Sequence, residues 1–283
     1  MEQTKHSQEG GQALAGSVAA VQMCSGSDVG ANLAAAREHL RYARAQGAGL
    51  AVLPENFALM AASQDQRLRH AEADGGGPIQ DAIARLAREL SLWVVAGTLP
   101  MRCGDPARVR SACLVFDDRG ERVARYDKIH LFDVDLGPGE RYAESDAFEA
   151  GETPVTIDTP SGRLGLAICY DLRFPELFRA LLSAGAEIVA LPSAFTVPTG
   201  EAHWEILVRA RAIENSCYMV ASAQGGRHDN GRTTYGHSLI VDPWGTVLAA
   251  RPEGPGVVVA GFDRGSVAAV RRRLPSVMHR RLE

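Results

Sequence analysis

The sequence predicts an α/β fold with mixed β-sheets, on three observations. Short apolar runs of strand length alternate with amphipathic helical stretches along most of the 283 residues. Two turn signals, Asp117-Asp118-Arg119-Gly120 and Asp242-Pro243-Trp244-Gly245, lie between strand-like runs and mark antiparallel hairpins. The last part of the chain is strand-rich and breaks the simple strand–helix alternation.

Taken in order, the apolar run 18–23 is the first strand. A helix over 29–46 follows, with Leu33, Ala36, Leu40 and Ala43 on one face, and Gly47 and Gly49 end it. A strand over 50–53 leads into Pro54-Glu55-Asn56-Phe57, and Pro78 opens a helix over 78–90. Strands over 93–97, 111–116 and 121–126 come next, then a long loop carrying Lys128 and Glu144. Strands over 155–157 and 162–168 precede Cys169, and a helix over 175–184 follows it. A strand over 187–191 and a helix over 201–215 complete the alternating part. Strands over 218–221, 238–241, 247–250 and 257–262 and a closing helix over 264–273 finish the chain. No long linker divides it and no internal sequence repeat is visible. It reads as one domain over 17–283 behind a polar, Gly-rich tail over 1–16 expected to be disordered.

Hydrophobic content of 46% and charged content of 23% fit a soluble globular protein. A net charge of −4 excludes a general nucleic-acid binder. The basic groups Arg271-Arg272-Arg273 and Arg280-Arg281 read as a solvated or subunit-contact surface. The five cysteines show neither a pairing pattern nor metal-ligand spacing, which fits free thiols in a reducing compartment. Cys24, Cys103, Cys113 and Cys217 are read as small buried apolar residues. No run is long and apolar enough for a membrane span, and the first sixteen residues hold no apolar signal region, so the expectation is a cytoplasmic protein.

Cys169 is the most informative residue. It sits where a buried strand turns into Tyr170-Asp171-Leu172-Arg173-Phe174-Pro175-Glu176, beside backbone N–H groups that favour a thiolate and can hold an oxyanion. Lys128, in Tyr126-Asp127-Lys128-Ile129-His130, is one of only two lysines, the other being Lys5 in the tail. A chain this biased to arginine uses lysine where a compact point charge is needed. Glu55, Lys128 and Cys169 thus offer a general base, an oxyanion cation and a nucleophile, with Glu55 and Cys169 both at carboxyl ends of strands, where α/β proteins bind ligands. His130 offers a Cys–His alternative but is assigned a structural role, and His203 and His237 are read as buried residues bracing loops. A thiol redox protein would carry a resolving cysteine near Cys169, and none is close in sequence.

These segments together resemble the nitrilase, or carbon–nitrogen hydrolase, superfamily from about Ser17 to Leu282. The resemblance implies a four-layer αββα sandwich, which periodicity does not reach, and a Glu–Lys–Cys triad falling on Glu55, Lys128 and Cys169. It implies a second glutamate after the lysine, matched by Glu144 in Tyr142-Ala143-Glu144-Ser145, to position Lys128 or meet the substrate. It implies amide hydrolysis to acid and ammonia through a cysteine thioester, with the Tyr170 backbone N–H helping Lys128 hold the oxyanion. No metal or organic cofactor is needed. At least a homodimer is implied, packed through the helices after Cys169 and after Gly200, and Phe174, Leu177, Phe178, Leu181 and Leu182 are more apolar than one helix face requires.

Within the superfamily, Arg173-Phe174-Pro175-Glu176, Pro192-Ser193-Ala194-Phe195, Ala202-His203-Trp204-Glu205, Gln224-Gly225-Gly226-Arg227-His228 and Asp242-Pro243-Trp244-Gly245 resemble the Nit amidase branch. That implies a terminal carboxamide of a small 2-oxo acid, such as deaminated glutathione, as substrate. Arg173 is the candidate partner of its carboxylate, the competing reading being an ion pair with Asp171 or Glu176; Phe195 and Thr196 are further candidate substrate-binding residues. Alternatives are an ω-amidase acting on 2-oxoglutaramate, an N-carbamoyl amide hydrolase, a nitrilase, or a non-catalytic partner with the same fold. Two departures stand out: Glu201 where the branch commonly has proline, which is expected to alter a loop near the pocket, and the abrupt end at Glu283.

Overall fold

The computed structural model describes residues 16–137 and 141–282, so the tail expected over 1–16 lies almost wholly outside the described residues. The first half runs β1 (Ser17–Gln22), α1 (Val29–Ala45), β2 (Leu50–Val52), α2 (Gln64–Arg69), α3 (Pro78–Leu90), β3 (Trp93–Val95), β4 (Leu99–Arg102), β5 (Val109–Phe116), β6 (Arg122–Asp127), β7 (Asp133–Asp135) and β8 (Arg141–Ala143). The second half runs β9 (Thr156–Thr159), β10 (Gly162–Leu166), α4 (Pro175–Ser183), β11 (Ile188–Ser193), α5 (Val197–Asn215), β12 (Tyr218–Ala223), β13 (Gly225–Arg227), β14 (Thr233–Tyr235), β15 (Ser238–Val241), β16 (Val247–Arg251), β17 (Gly256–Gly261) and α6 (Arg264–Arg273).

Two mixed sheets result. One has the order β17-β1-β2-β3-β5-β4 with β6 paired to β5, and the other β16-β15-β12-β11-β10-β9. Each has three parallel strands at its centre, β1-β2-β3 and β10-β11-β12, joined through α1 and α3 in one half and α4 and α5 in the other. The chain is therefore structurally duplicated although no sequence repeat shows it.

Side-chain alternation sets the layers. In β1, Val18 and Ala20 join the core against the second sheet, while Ala19 and Val21 join the core beneath α1 and α3. Leu177, Phe178 and Leu181 of α4 and Val208 and Ala212 of α5 pack on the second sheet. The order helix, sheet, sheet, helix is the αββα sandwich expected. The sheets are also tied by polar groups, since the Ser222 hydroxyl donates to the Val52 carbonyl at 2.7 Å and accepts from the Val21 N–H at 3.2 Å.

Several expectations need correction. α5 begins at Val197, four residues earlier than read, because Pro198 sits in the first turn, where its missing N–H costs nothing. Glu201 is therefore an exposed helical residue and not part of a loop. The apolar residues Leu177, Phe178 and Leu181 of α4 are spent on the protein's own core. Cys24 is exposed and Cys103 half-buried; only Cys113 and Cys217 fit the buried reading. His203 is exposed and His237 half-buried. α2, β4, β7, β8, β13 and β14 were not anticipated, being short and largely polar or proline-containing.

One glycine fixes the backbone of the Glu55 loop. Gly97 has φ +42°, and a Cβ there would lie 2.0 Å from the Pro54 carbonyl oxygen. We predict that Gly97→Ala destabilises the protein by more than about 2 kcal/mol in urea unfolding, combining left-handed strain with a backbone clash. A variant as stable as the wild type would show that the loop yields freely.

Candidate active site

Three segments converge at one end of the sandwich. Glu55 follows β2, where the Leu53 N–H still donates to Val95 O at 2.9 Å before the chain leaves the sheet. Asn56 adopts φ +57° and its N–H donates to the Thr98 hydroxyl at 2.9 Å. The Gln224 side chain, from the far sheet, donates to Glu55 O at 3.0 Å and to the Ser25 hydroxyl at 2.8 Å. Lys128 follows β6, and its backbone is held on both sides, donating to Ser111 O at 3.0 Å and accepting from Gly151 N at 2.8 Å.

Lys128 is 2% exposed. Its ammonium donates to Glu55 Oε1 at 3.0 Å and to Glu144 Oε1 and Oε2 at 3.0 and 2.8 Å. Glu144, reached through the β7–β8 ribbon, also accepts from the Phe132 N–H at 2.7 Å. Burial alone would push the Lys128 amine down, but the Glu144 and Glu55 carboxylates outweigh it and hold the amine well above its ordinary value.

Cys169 opens a 3₁₀ turn, Cys169–Arg173, at φ +48°. That conformation is uncommon for a residue with a Cβ, and something must hold it. Asp171, fully buried, supplies the restraint. Its carboxylate accepts from the Ile168 N–H at 2.8 Å, the Tyr126 hydroxyl at 2.7 Å, the His130 N–H at 3.1 Å and, with a 2.6 Å contact, His130 Nδ1. Tyr126 and His130 flank Lys128 in sequence, so one carboxylate ties the cysteine turn to the lysine segment. His130 also stacks on Phe174 at 3.7 Å, in keeping with the structural role assigned to it.

The thiol differs from expectation. Burial is the main cause that raises the Cys169 pKa well above its ordinary value, and the Glu55 charge adds to it; Lys128 and the Ala194 backbone N–H oppose both without winning. A resting thiolate would be a desolvated charge, which burial disfavours. The geometry therefore holds a neutral thiol beside a carboxylate able to take its proton.

Glu55, Lys128, Glu144, Cys169, Tyr170, Arg173, Phe195 and Thr196, the residues singled out in the sequence, all line one cavity of about 310 Å³. Arg173 is not paired with Asp171 or Glu176. Its Nη1 lies 3.4 Å from His203 Nδ1, and its guanidinium stands over the Tyr170 and Phe195 rings at 5.9 and 5.5 Å. Thr196 shares a 2.8 Å hydroxyl contact with Thr199. Phe132 bridges Tyr142 and Tyr170, with ring centroids at 5.2 and 5.0 Å, to make an aromatic wall.

Comparison with known proteins identifies the family. The family described as carbon–nitrogen hydrolase matches residues 17–272. The chain is 43% identical over 266 residues to the deaminated glutathione amidase of Yersinia enterocolitica, covering 93% of this chain and 92% of that one. It is 44% identical over 270 residues to the human protein of that name, covering 93% and 82%. The chain belongs to the carbon–nitrogen hydrolase family. Among solved structures, Nit3 of Saccharomyces cerevisiae superposes on this hydrolase with a TM-score of 0.84 at 31% identity, over 94% of this chain and 96% of that one. The Caenorhabditis elegans NitFhit protein superposes with a TM-score of 0.87 at 38% identity; the alignment covers 94% of this chain but 65% of that longer one.

Sequence reasoning missed several residues that this hydrolase places at the site. Asp171 was considered only as a partner of Arg173, although its position two residues after the cysteine in a buried turn was a usable signal. Arg67, Arg141 and Arg232 also line the cavity. They lie on α2, at the start of β8 and between β13 and β14, elements too short to show in the pattern.

The protonated thiol gives a measurable outcome. Alkylation of Cys169 by iodoacetamide, followed on its own peptide by mass spectrometry, should be slow at pH 7 and rise about tenfold per pH unit towards pH 9. A raised pKa keeps the thiol protonated below it, so no acid-side plateau is expected. A plateau below pH 7 would mean a resting thiolate.

Proposed function

We propose that this hydrolase cleaves the amide of a small 2-oxo acid, of the deaminated glutathione kind, through a thioester on Cys169. The observation that carries the reaction is Lys128, buried between Glu55 and Glu144 in the cavity that Cys169 lines. Arg173, free of the acid partners considered for it, supports a substrate carboxylate near the nucleophile, and the names of the relatives above support the substrate class.

In this mechanism Glu55 takes the Cys169 proton as sulfur attacks the amide carbon. The oxyanion is held by Lys128 and the Tyr170 backbone N–H, donors of a kind worth roughly 3–4 kcal/mol each. Collapse breaks the C–N bond, and Glu55 returns the proton to the departing nitrogen. The product is ammonia from a primary amide, or the amino end of a dipeptide from deaminated glutathione itself. Glu55 then takes a proton from water, hydroxide adds to the thioester, and collapse returns the proton to sulfur. Glu144 keeps the Lys128 ammonium oriented throughout. Phe195 and Thr196 shape the acyl side.

Mass spectrometry of the protein mixed with 2-oxoglutaramate or deaminated glutathione should trap an acyl adduct on Cys169. Cys169→Ala should fold and be inactive. Lys128→Arg should lose at least about a hundredfold in kcat, because a broad planar guanidinium cannot occupy a slot bounded by two carboxylates. Full hydrolysis by Cys169→Ala would overturn the mechanism, and turnover only of nitriles or carbamoyl compounds would overturn the substrate class.

Assembly and location are part of the same proposal. Ile206 is 70% exposed on α5, and Ile213, seven residues on, is 45% exposed. These two, on the second of the two helices first read, support a homodimer packed through this helical layer. Free cysteines support a reducing compartment, the cytoplasm, and no helix among the described residues is long and apolar enough to cross a membrane. Light scattering should show a dimer at micromolar concentration and a monomer for Ile206→Glu. A wild-type monomer would remove the dimer.

A further inference from the structure

This inference rests on the amide-hydrolysis reading above and extends it to the other end of the substrate. The acidic side chains lining the cavity are Glu55 and Glu144, and both are engaged by Lys128. Four arginines line it as well: Arg67, Arg141, Arg173 and Arg232. Among the described residues, none of the four forms an ion pair.

Neutral groups hold them instead. Arg67 donates to the Gln64 side chain and stands over the Phe148 ring at 4.8 Å. Arg232 donates to Ala194 O at 2.8 Å, stands over the Tyr142 ring at 5.8 Å, and leaves Nε buried without an acceptor. Burial pushes the Arg67 guanidinium down from its ordinary value, with Arg232 repelling it and Glu144 opposing the shift. Two guanidinium groups lining one cavity without an acidic partner, one desolvated and the other with a buried unfilled Nε, are a receptor for an anion. Arg173 lies on a different element with different neighbours, so one carboxylate beside the nucleophile turn fills only that position.

We propose that Arg67 and Arg232 bind a second substrate carboxylate, carried by the amine half of the amide. The preferred substrate is then a 2-oxo acid joined to an amine that itself ends in a carboxylate, as a peptide does. A primary amide such as 2-oxoglutaramate occupies only half of the charged surface.

The test compares deaminated glutathione with the same molecule bearing a C-terminal carboxamide, which matches it in size and removes only the distal charge. Wild-type kcat/KM should favour the carboxylate by about tenfold or more, as expected for charged hydrogen bonds. In Arg67→Gln and Arg232→Gln that ratio should fall towards one, and Arg232→Lys should restore part of it. A wild-type ratio near one, or variants that lower both substrates equally and leave the ratio intact, would overturn the proposal. Calorimetric binding of the same pair to Cys169→Ala separates this from the reaction itself. A carboxylate preference in binding, lost in Cys169→Ala/Arg232→Gln, supports the second subsite even if no 2-oxo acid amide is turned over, which would sink only the reaction. Equal binding of the pair overturns the subsite.

Discussion

The site depends on one buried cation. Removing an ammonium from water costs several kcal/mol even after the protein relaxes, and only close, well-oriented anions offset it. Lys128 has two, Glu55 and Glu144, and removing either would leave a buried charge short of a partner. The same contacts give the chemistry its form. A lysine held above its ordinary pKa remains a cation wherever the enzyme works, and burial, with the Glu55 charge added to it, holds the neighbouring thiol pKa up. The carboxylate that stabilises the lysine is also the one proposed to receive the thiol proton, so structure and the proposed reactivity draw on a single electrostatic arrangement.

Asp171 extends that arrangement to the nucleophile. Its carboxylate is fully buried, yet it accepts from donors on both the cysteine turn and the β6 end, which is the satisfaction a buried carboxylate requires. The left-handed backbone of Cys169 is local strain that the surroundings must over-determine. Asp171 does this through the N–H of the residue just before the cysteine, and Tyr126 and His130 register that turn against Lys128. Cys169 and Lys128 are thus fixed relative to each other by one shared acceptor rather than by two independent loops.

What the sequence made legible follows from the same physics. Glu55 and Cys169 could be picked out because each follows a recognisable apolar strand, and Lys128 because lysine is so rare in this chain. The long helices were readable from period and from caps such as Gly47 and Pro78. The sandwich was not: alternating burial in β1 shows that the strand has two apolar faces, and nothing local says that one faces another sheet and the other a helix. That assignment came with the family resemblance. The resting thiol was misjudged because neighbouring N–H groups were visible in the sequence, whereas burial and the approach of Glu55 are long-range facts. Arg67 and Arg232 were invisible for a related reason, since arginines are plentiful here and only the cavity distinguishes those two.

The hidden duplication explains why so much chemistry gathers at one end. Parallel strands joined by crossover helices all point their carboxyl ends the same way. Here β2 delivers Glu55, β10 delivers Cys169 and β11 delivers Ala194, Phe195 and Thr196. Facing the two sheets brings those ends together, so the cavity forms at the seam between halves and neither half alone holds a complete site. Gln224 shows how tightly the seam is specified. It leaves the end of β12 in one sheet, and its side-chain amide donates to the backbone of Glu55 at the end of β2 in the other. Sliding one sheet along the other by even one residue would break that bond and carry Asp171, on the turn after β10, away from Tyr126 and His130 at the end of β6. The cost of a buried carboxylate and a buried amide stripped of their partners opposes any other register of the two sheets, so polar groups beside the candidate site help select the packing that assembles it.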